Sequence, residues 1–105
     1  MTLITPSVTI GAVAIKTFKN VETAALFRLE RVPRFANIER PALRKLKQLD
    51  LARQIEDLHV PPGNQLERLK GDRAGQWSIR VNDQFRVCFR WSGSDAEDVE
   101  IVDYH

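Results

Sequence analysis

The sequence predicts an α+β fold, with two to three N-terminal helices packed on one face of a mainly antiparallel sheet of four to five strands. Three observations lead to this fold class. Apolar residues recur at helical spacing in the first half of the chain, they alternate with polar residues in the second half, and polar or glycine-containing turns separate the alternating runs. A chain of 105 residues is long enough for one domain with a core of its own.

The first half of the chain is expected to begin with a short strand and a helix. Residues 14–18 predict the strand. Asn20 is expected to cap the helix, because an asparagine side chain accepts a hydrogen bond from the first helical turn. Apolar residues at helical spacing continue to Val32, and Pro33 is expected to end the helix.

A second helix is expected to begin between Asn37 and Pro41, since proline is tolerated in the first turn of a helix. Its apolar stripe is predicted at Ile38, Ala42, Leu43, Leu46 and Leu49, and its outer face at Arg40, Arg44, Lys45 and Lys47. The apolar period then changes, so Asp50 is expected to cap a short third helix. The proline-rich residues 59–64 predict a loop.

Four strands are predicted in the second half of the chain. Residues 66–70 form the first, and residues 75–91 form a hairpin whose two arms carry alternating side chains around a polar turn. Residues 98–104 form the last. The side chains expected to face the helices are Trp77, Ile79, Phe85, Val87, Val99 and Ile101.

The opposite face of this hairpin is unusual because it is mostly arginine. Arg80, Arg86 and Arg90 alternate with the apolar residues, and neither arm contains an acidic residue that would pair with them. A face that presents cations is typical of a surface for an anionic ligand. A solvated face, with arginine chosen for solubility, is the other interpretation that this stretch leaves open.

Composition narrows the class of protein. The formal net charge is only +2, so overall charge is weak support for nucleic-acid binding. The single cysteine, Cys88, excludes an intramolecular disulfide, is expected to be a buried hydrophobe and fits a cytoplasmic protein. No apolar run approaches the length of a membrane span. Residues 1–14 have no clear period and are consistent with a flexible N-terminal extension before one domain at residues 15–105.

Several groups suited to RNA cleavage are expected near one another on or beside the arginine-rich face. They are Lys70, Arg73, Arg80, Arg86, Tyr104 and His105. In RNA cleavage the 2′-hydroxyl loses a proton, the leaving 5′-oxygen gains one, and negative charge grows on the phosphorus centre. Histidine transfers protons near neutral pH, and arginine matches the geometry of phosphate. This chemistry requires no metal, and no cofactor is predicted.

Three segments resemble a known family. They are LKGDR from Leu69, GQWSIRVNDQFRVCFRW from Gly75 and VEIVDYH from Val99. Together they closely resemble the HigB-type host-inhibition-of-growth toxins of the RelE/ParE superfamily, and the resemblance extends from about Ile15 to His105. It implies a RelE-like fold and the toxin of a type II toxin–antitoxin system. Such a toxin is a metal-independent endoribonuclease that cuts mRNA in the ribosomal A site and so inhibits translation and growth.

The resemblance also implies partners and residue roles. A HigA-type antitoxin with a helix-turn-helix would bind the toxin, and operator DNA would be bound only through that antitoxin. By family role, Lys70 and Arg86 would hold the scissile phosphate. Asp103, Tyr104 and His105 would supply the acid and base groups, and Arg73, Arg80 and Arg90 would contact RNA or ribosome.

One position departs from the family pattern. Better-known members have a histidine three residues before the lysine of LKGDR, and this chain has Glu67 there. A carboxylate at this position would either act as a base or repel phosphate. Two other functions therefore remain open: a ParE-like toxin that inhibits its target by binding, and a weakly active toxin retained for antitoxin binding and autoregulation. An imidazole beside a phosphate site favours the nuclease.

Overall fold

The sheet is formed by the second half of the chain, in a computed structural model that describes residues 14–104. Its strands are β1 (Glu67–Arg68), β2 (Trp77–Arg80), β3 (Phe85–Ser92) and β4 (Asp95–Asp103). They lie in chain order, and each pairs antiparallel with the next. Two α-helices, α1 (Val21–Phe27) and α2 (Glu39–Leu51), precede them. The predicted α+β class is confirmed, with four strands.

Residues 14–18 do not form the predicted first strand. They contact β4 through two isolated parallel bridges, between Ile15 and Ala96 and between Phe18 and Val99. Ala14 is buried, and its backbone N–H donates to the carbonyl of Asp50. The predicted extension at residues 1–14, apart from Ala14, lies outside the described residues.

Helix α1 begins as predicted and ends earlier than predicted. Asn20 caps it, since its Oδ1 accepts a hydrogen bond from the Thr23 backbone at 2.9 Å. The helix stops at Phe27, well before Pro33, because Leu29 adopts the left-handed conformation with φ 68°. The carbonyls of the last turn are satisfied by the next backbone N–H groups, with Leu29 donating to Leu26 and Glu30 donating to Ala25.

Helix α2 follows the predicted apolar stripe, and the core lies between this stripe and the sheet. Its buried residues include Ala42, Leu46 and Leu49, preceded by the buried Ile38. The predicted third helix is a 3₁₀ turn at Ile55–His59, whose capping groups are the side chains of Gln54 and Asp57 instead of that of Asp50. No helix among the described residues is long and apolar enough to cross a membrane.

Lys45 differs from its predicted place on the outer face of α2, because its side chain is buried. Its Nζ donates to Oδ1 of Asn64 at 2.5 Å. Burial lowers the pKa of Lys45, and the nearby charges of Arg44 and Arg80 act in the same direction. Asn64 is itself fully buried, and its Nδ2 donates to the carbonyl of Leu58 and to the side chain of Gln48, both at 3.1 Å.

We predict that Asn64→Ala lowers the free energy of unfolding by about 2–3 kcal/mol, because buried polar groups lose their partners. Urea denaturation followed by circular dichroism measures this change. Asn37→Ala is the control: Asn37 is exposed, and its loss should change stability by less than about 0.5 kcal/mol. Equal midpoints for the two variants would contradict a structural role for Asn64.

Candidate active site

The strand register places two of the predicted groups, Arg80 and Arg86, on one face of the sheet. Residues directly opposite each other on neighbouring strands point to the same side. One row of opposite residues runs Glu67, Ser78, Cys88 and Glu100, and the next runs Arg80, Arg86 and Val102. We call the side chains of these two rows, with Tyr104 beyond β4, the arginine face. It lies opposite the helices, which cover Ile79 and Val87.

Arg86 lies at the centre of the arginine face, and its guanidinium group makes two hydrogen bonds, an ion pair and a contact with an aromatic ring. Its Nε donates to Oγ of Ser78 at 2.7 Å, and its Nη2 donates to the carbonyl of Gln65 at 2.6 Å. Oε1 of Glu67 lies 3.6 Å from the same Nη2. The guanidinium carbon lies 5.6 Å from the centroid of the Tyr104 ring. These contacts fix the guanidinium plane, and its side chain is only 11% exposed.

Each of the four arginines predicted for the site has a carboxylate partner, which the strands of the hairpin did not indicate. The ion pairs are Arg73 with Glu100 at 3.0 Å, Arg80 with Asp83, Arg86 with Glu67, and Arg90 with Asp98 at 3.5 Å. The partners come from β1, from β4 and from the hairpin turn. These four arginines are therefore held in ion pairs, and the expectation of unpaired cations on the hairpin is wrong.

Lys70 differs from these arginines. It is exposed, follows β1 and directly precedes the 3₁₀ turn at Gly71–Arg73. Within residues 14–104 its ammonium group has no ion pair or hydrogen bond. Among the predicted site lysine and arginines that the structure describes, Lys70 is thus the one without an ion pair.

The end of β4 supplies Asp103 and Tyr104. The Tyr104 backbone donates to the carbonyl of Gln84 at 2.7 Å, and Nε2 of Gln84 donates to Oδ2 of Asp103 at 2.9 Å. These two hydrogen bonds tie the end of β4 to the turn between β2 and β3, beside Arg86. His105 lies outside the described residues, so its predicted role stays a prediction.

A concavity of about 400 Å³ lies beside this chain end, lined by Arg73, Val102, Asp103 and Tyr104. Nη1 of Arg73 donates to Oε1 of Glu100 at 3.0 Å and to the side chain of Gln76 at 3.1 Å. The hydrogen bond to Glu100 raises the pKa of Arg73. The predicted RNA contacts of Arg73, and likewise those of Arg80 and Arg90, stay predictions. Among the described residues, no group of three or more His, Cys, Asp or Glu side chains is placed to hold a metal ion.

Three residues of the site were missed from the sequence. Ser78 had a signal, because it lies two positions from Arg80 on the same strand and hence on the same face. Gln65 acts through its backbone carbonyl, which any residue type would supply. Gln84 acts through contacts with a strand 19 residues away, and no local pattern predicts them.

Cys88 is confirmed as a buried residue within the arginine face. Burial raises the pKa of its thiol to about 11. At pH 8 only about one thiol in a thousand would be ionised, and the thiolate is the reactive form. We predict that iodoacetamide does not label the native protein at pH 8 in a time that fully labels it in urea. Mass spectrometry measures the labelled fraction, and rapid labelling of the folded protein would contradict this prediction.

The solved structures give the class of fold. A chain of the YoeB-YefM complex from Staphylococcus aureus matches with a TM-score of 0.52 and 14% sequence identity, over 87% of this chain and 97% of that one. At this identity the likeness is one of fold. Together with the helices packed on a four-stranded antiparallel sheet, it shows that the two chains share one α+β fold.

The sequence comparisons give the family. Residues 17–105 match the model of a family described as the RelE-like toxin of type II toxin-antitoxin system HigB, and the protein belongs to that family. Toxin HigB-1 of Vibrio cholerae serotype O1 is 48% identical over 56 residues, or 53% of this chain and 59% of that protein. Endoribonuclease HigB of Proteus vulgaris is 38% identical over 61 residues, which are 58% of this chain and 65% of that protein. The aligned segments span less than two thirds of either relative.

Proposed function

We propose that this protein is a toxin that cleaves mRNA in the ribosomal A site without a metal ion. The observation that best supports a nuclease is the fixed guanidinium of Arg86. Two protein acceptors and the Tyr104 ring hold it beside the end of β4, and no described residue accepts a hydrogen bond from its Nη1. The Proteus vulgaris relative, named an endoribonuclease, supports the same activity.

In this proposal Arg86 and Lys70 bind the scissile phosphate. The free Nη1 edge of Arg86 donates hydrogen bonds to the phosphate oxygens, and the Lys70 ammonium adds an unpaired positive charge. Both stabilise the negative charge that develops as the 2′-oxygen attacks phosphorus. Because Ser78 and Gln65 already orient Arg86, the guanidinium needs little rearrangement when the transition state forms.

Proton transfer is assigned to Glu67 and His105. The Glu67 carboxylate is exposed and lies against Arg86, so it can accept the proton of the 2′-hydroxyl. The O2′–P bond forms, the P–O5′ bond breaks, and the 5′-oxygen takes a proton from the His105 imidazolium. The products are a 2′,3′-cyclic phosphate and a 5′-hydroxyl. Asp103 and Tyr104 position this end of the site.

The other predicted arginines act in binding in this proposal. The side chains of Arg73, Arg80 and Arg90 keep part of their surface exposed beside their ion pairs, and they contact RNA or ribosome there. The proposed protein partner is a HigA-type antitoxin with a helix-turn-helix, through which operator DNA is bound. The family description and the YoeB-YefM complex of a fold relative support an antitoxin partner. The proposed compartment is the cytoplasm.

Expression in a bacterial host with mapping of mRNA 5′ ends tests the proposal. We expect growth arrest and new 5′ ends in register with codons, with Arg86→Ala as the inactive control. Intact mRNA with stalled DNA replication would contradict the proposal and favour a ParE-like binding toxin. Normal growth with intact mRNA would favour a weakly active toxin.

A further inference from the structure

An apolar groove lies on the outer side of α2. Its largest part, a concavity of about 530 Å³, is lined by Arg40, Leu43, Arg44, Lys47, Gln48 and Leu51. A second concavity shares Leu43 and Lys47 and extends to Phe27 and Leu29. We call this continuous surface the helix groove. The buried side of α2 faces the core, so the groove and the arginine face belong to opposite sides of the domain.

Leu29 is the first sign that the groove is covered by a partner. Leu29 follows the end of α1 and adopts the left-handed backbone conformation that commonly ends a helix. Glycine adopts this conformation without strain, and leucine does not. Its side chain is 78% exposed, so burial within this chain does not offset the unfavourable backbone conformation. A strained and exposed leucine is explained if its side chain is buried against another molecule. Leu51, 62% exposed, lies at the other end of the groove.

The charges along the groove indicate the chemistry of that molecule. Arg40, Arg44 and Lys47 follow one another at helical spacing on α2, in the same row as Leu51 and beside Leu43, and we call these three cations the basic border. Within the described part of the chain, none of the three has an ion pair. The acidic residues Glu30 and Glu39 line only the far end, beyond Leu43. The α2 part of the groove is thus apolar with an unpaired basic border.

We propose that the helix groove binds an acidic amphipathic helix of the antitoxin. Its apolar side chains would cover Leu29, Leu43 and Leu51, and its carboxylates would pair with the basic border. From Arg40 to Leu51 the rise along α2 is about 16 Å, which matches three turns of a partner helix. RNA would use the cations and leave the exposed leucines uncovered, so the groove fits a protein helix better. This inference takes the antitoxin from the proposed function.

Two groove variants test the proposal by their affinity for the purified HigA-type antitoxin, measured by isothermal titration calorimetry. Leu29→Gly relieves the strained backbone, so its melting temperature should stay level or rise while its affinity falls at least tenfold. A stability gain together with a binding loss is specific to a contact residue. Arg44→Glu combined with Lys47→Glu reverses the basic border and should lower the affinity at least a hundredfold.

Matched controls lie outside the groove. Val21→Ser removes an apolar side chain that is 80% exposed, and Lys19→Glu reverses an exposed charge. Both should keep the wild-type affinity. All groove variants should cleave mRNA at the wild-type rate within about twofold, because the groove does not include the arginine face.

The outcomes separate this inference from the nuclease proposal. Wild-type antitoxin affinity in both groove variants would overturn the inference while leaving the nuclease intact, and so would an antitoxin that does not bind the wild-type toxin. Reduced affinity of the groove variants for ribosomes, with unchanged affinity for antitoxin, would identify RNA as the occupant and also overturn it. Loss of antitoxin binding in a toxin that never cleaves mRNA would support the inference and reject the nuclease.

Discussion

Arg86→Ala is expected to lower the rate of ribosome-dependent mRNA cleavage by about a hundredfold to a thousandfold. Alanine removes the guanidinium that is proposed to bind the scissile phosphate and to stabilise the charge of the transition state. Lys70 alone cannot replace it, since an ammonium group lacks the planar pair of donors that arginine offers to phosphate. Initial rates on programmed ribosomes measure the effect.

The controls separate chemistry from folding. Arg86 is largely buried and bonded to Ser78 and Gln65, so Arg86→Ala should also lower the melting temperature by several degrees. Cleavage must therefore be measured where circular dichroism shows the variant folded. Arg90→Ala, on the same strand, removes an exposed arginine paired with Asp98 and should lower the rate less than about tenfold. A folded Arg86→Ala protein with the wild-type rate would reject the assignment.

Glu67→Gln is expected to lower kcat about a hundredfold with little change in KM. Glutamine keeps the size and hydrogen-bonding reach of the side chain but cannot accept a proton as a carboxylate does. A general base typically contributes this factor or more to the rate. Initial rates at varied concentrations of programmed ribosomes, with toxin at a low fixed concentration, give kcat and KM.

The same experiment tests the opposite role of Glu67. If its carboxylate only repels the phosphate or competes for Arg86, Glu67→Gln should lower KM and leave kcat unchanged. That result would contradict a catalytic base. Glu97→Gln is the matched control, because Glu97 lies in β4 opposite Arg90, several residues from the chain end, and should keep wild-type kinetics.

The parts of the fold that depend on local sequence were predictable. The cap at Asn20, the apolar stripe of α2 and the alternation of β2 and β3 follow from hydrogen bonding and side-chain period within a few residues. The end of α1 was not predictable, because Leu29 adopts the left-handed conformation that glycine usually adopts. The burial of Lys45 was not predictable either, since Asn64, which accepts its hydrogen bond, lies 19 residues away in the sequence.

The face on which Arg80 and Arg86 lie was predictable from the sequence, and their ion pairs were not. Alternation along the hairpin correctly placed Arg86 on the face of the sheet that points away from the helices. The carboxylate that pairs with Arg73, however, is Glu100, which is 27 residues away, and the carbonyl that holds Arg86 is 21 residues away. Such partners are set by strand register and loop packing, so the sequence suggested free cations where the fold makes ion pairs.

The most direct measurement of the central hypothesis is cleavage of one mRNA by purified toxin, with and without ribosomes that hold a defined codon in the A site. We predict cuts within that codon only when ribosomes are present, and their loss in Arg86→Ala. Intact mRNA on programmed ribosomes, or equal cleavage of free mRNA, would contradict a ribosome-dependent nuclease centred on Arg86.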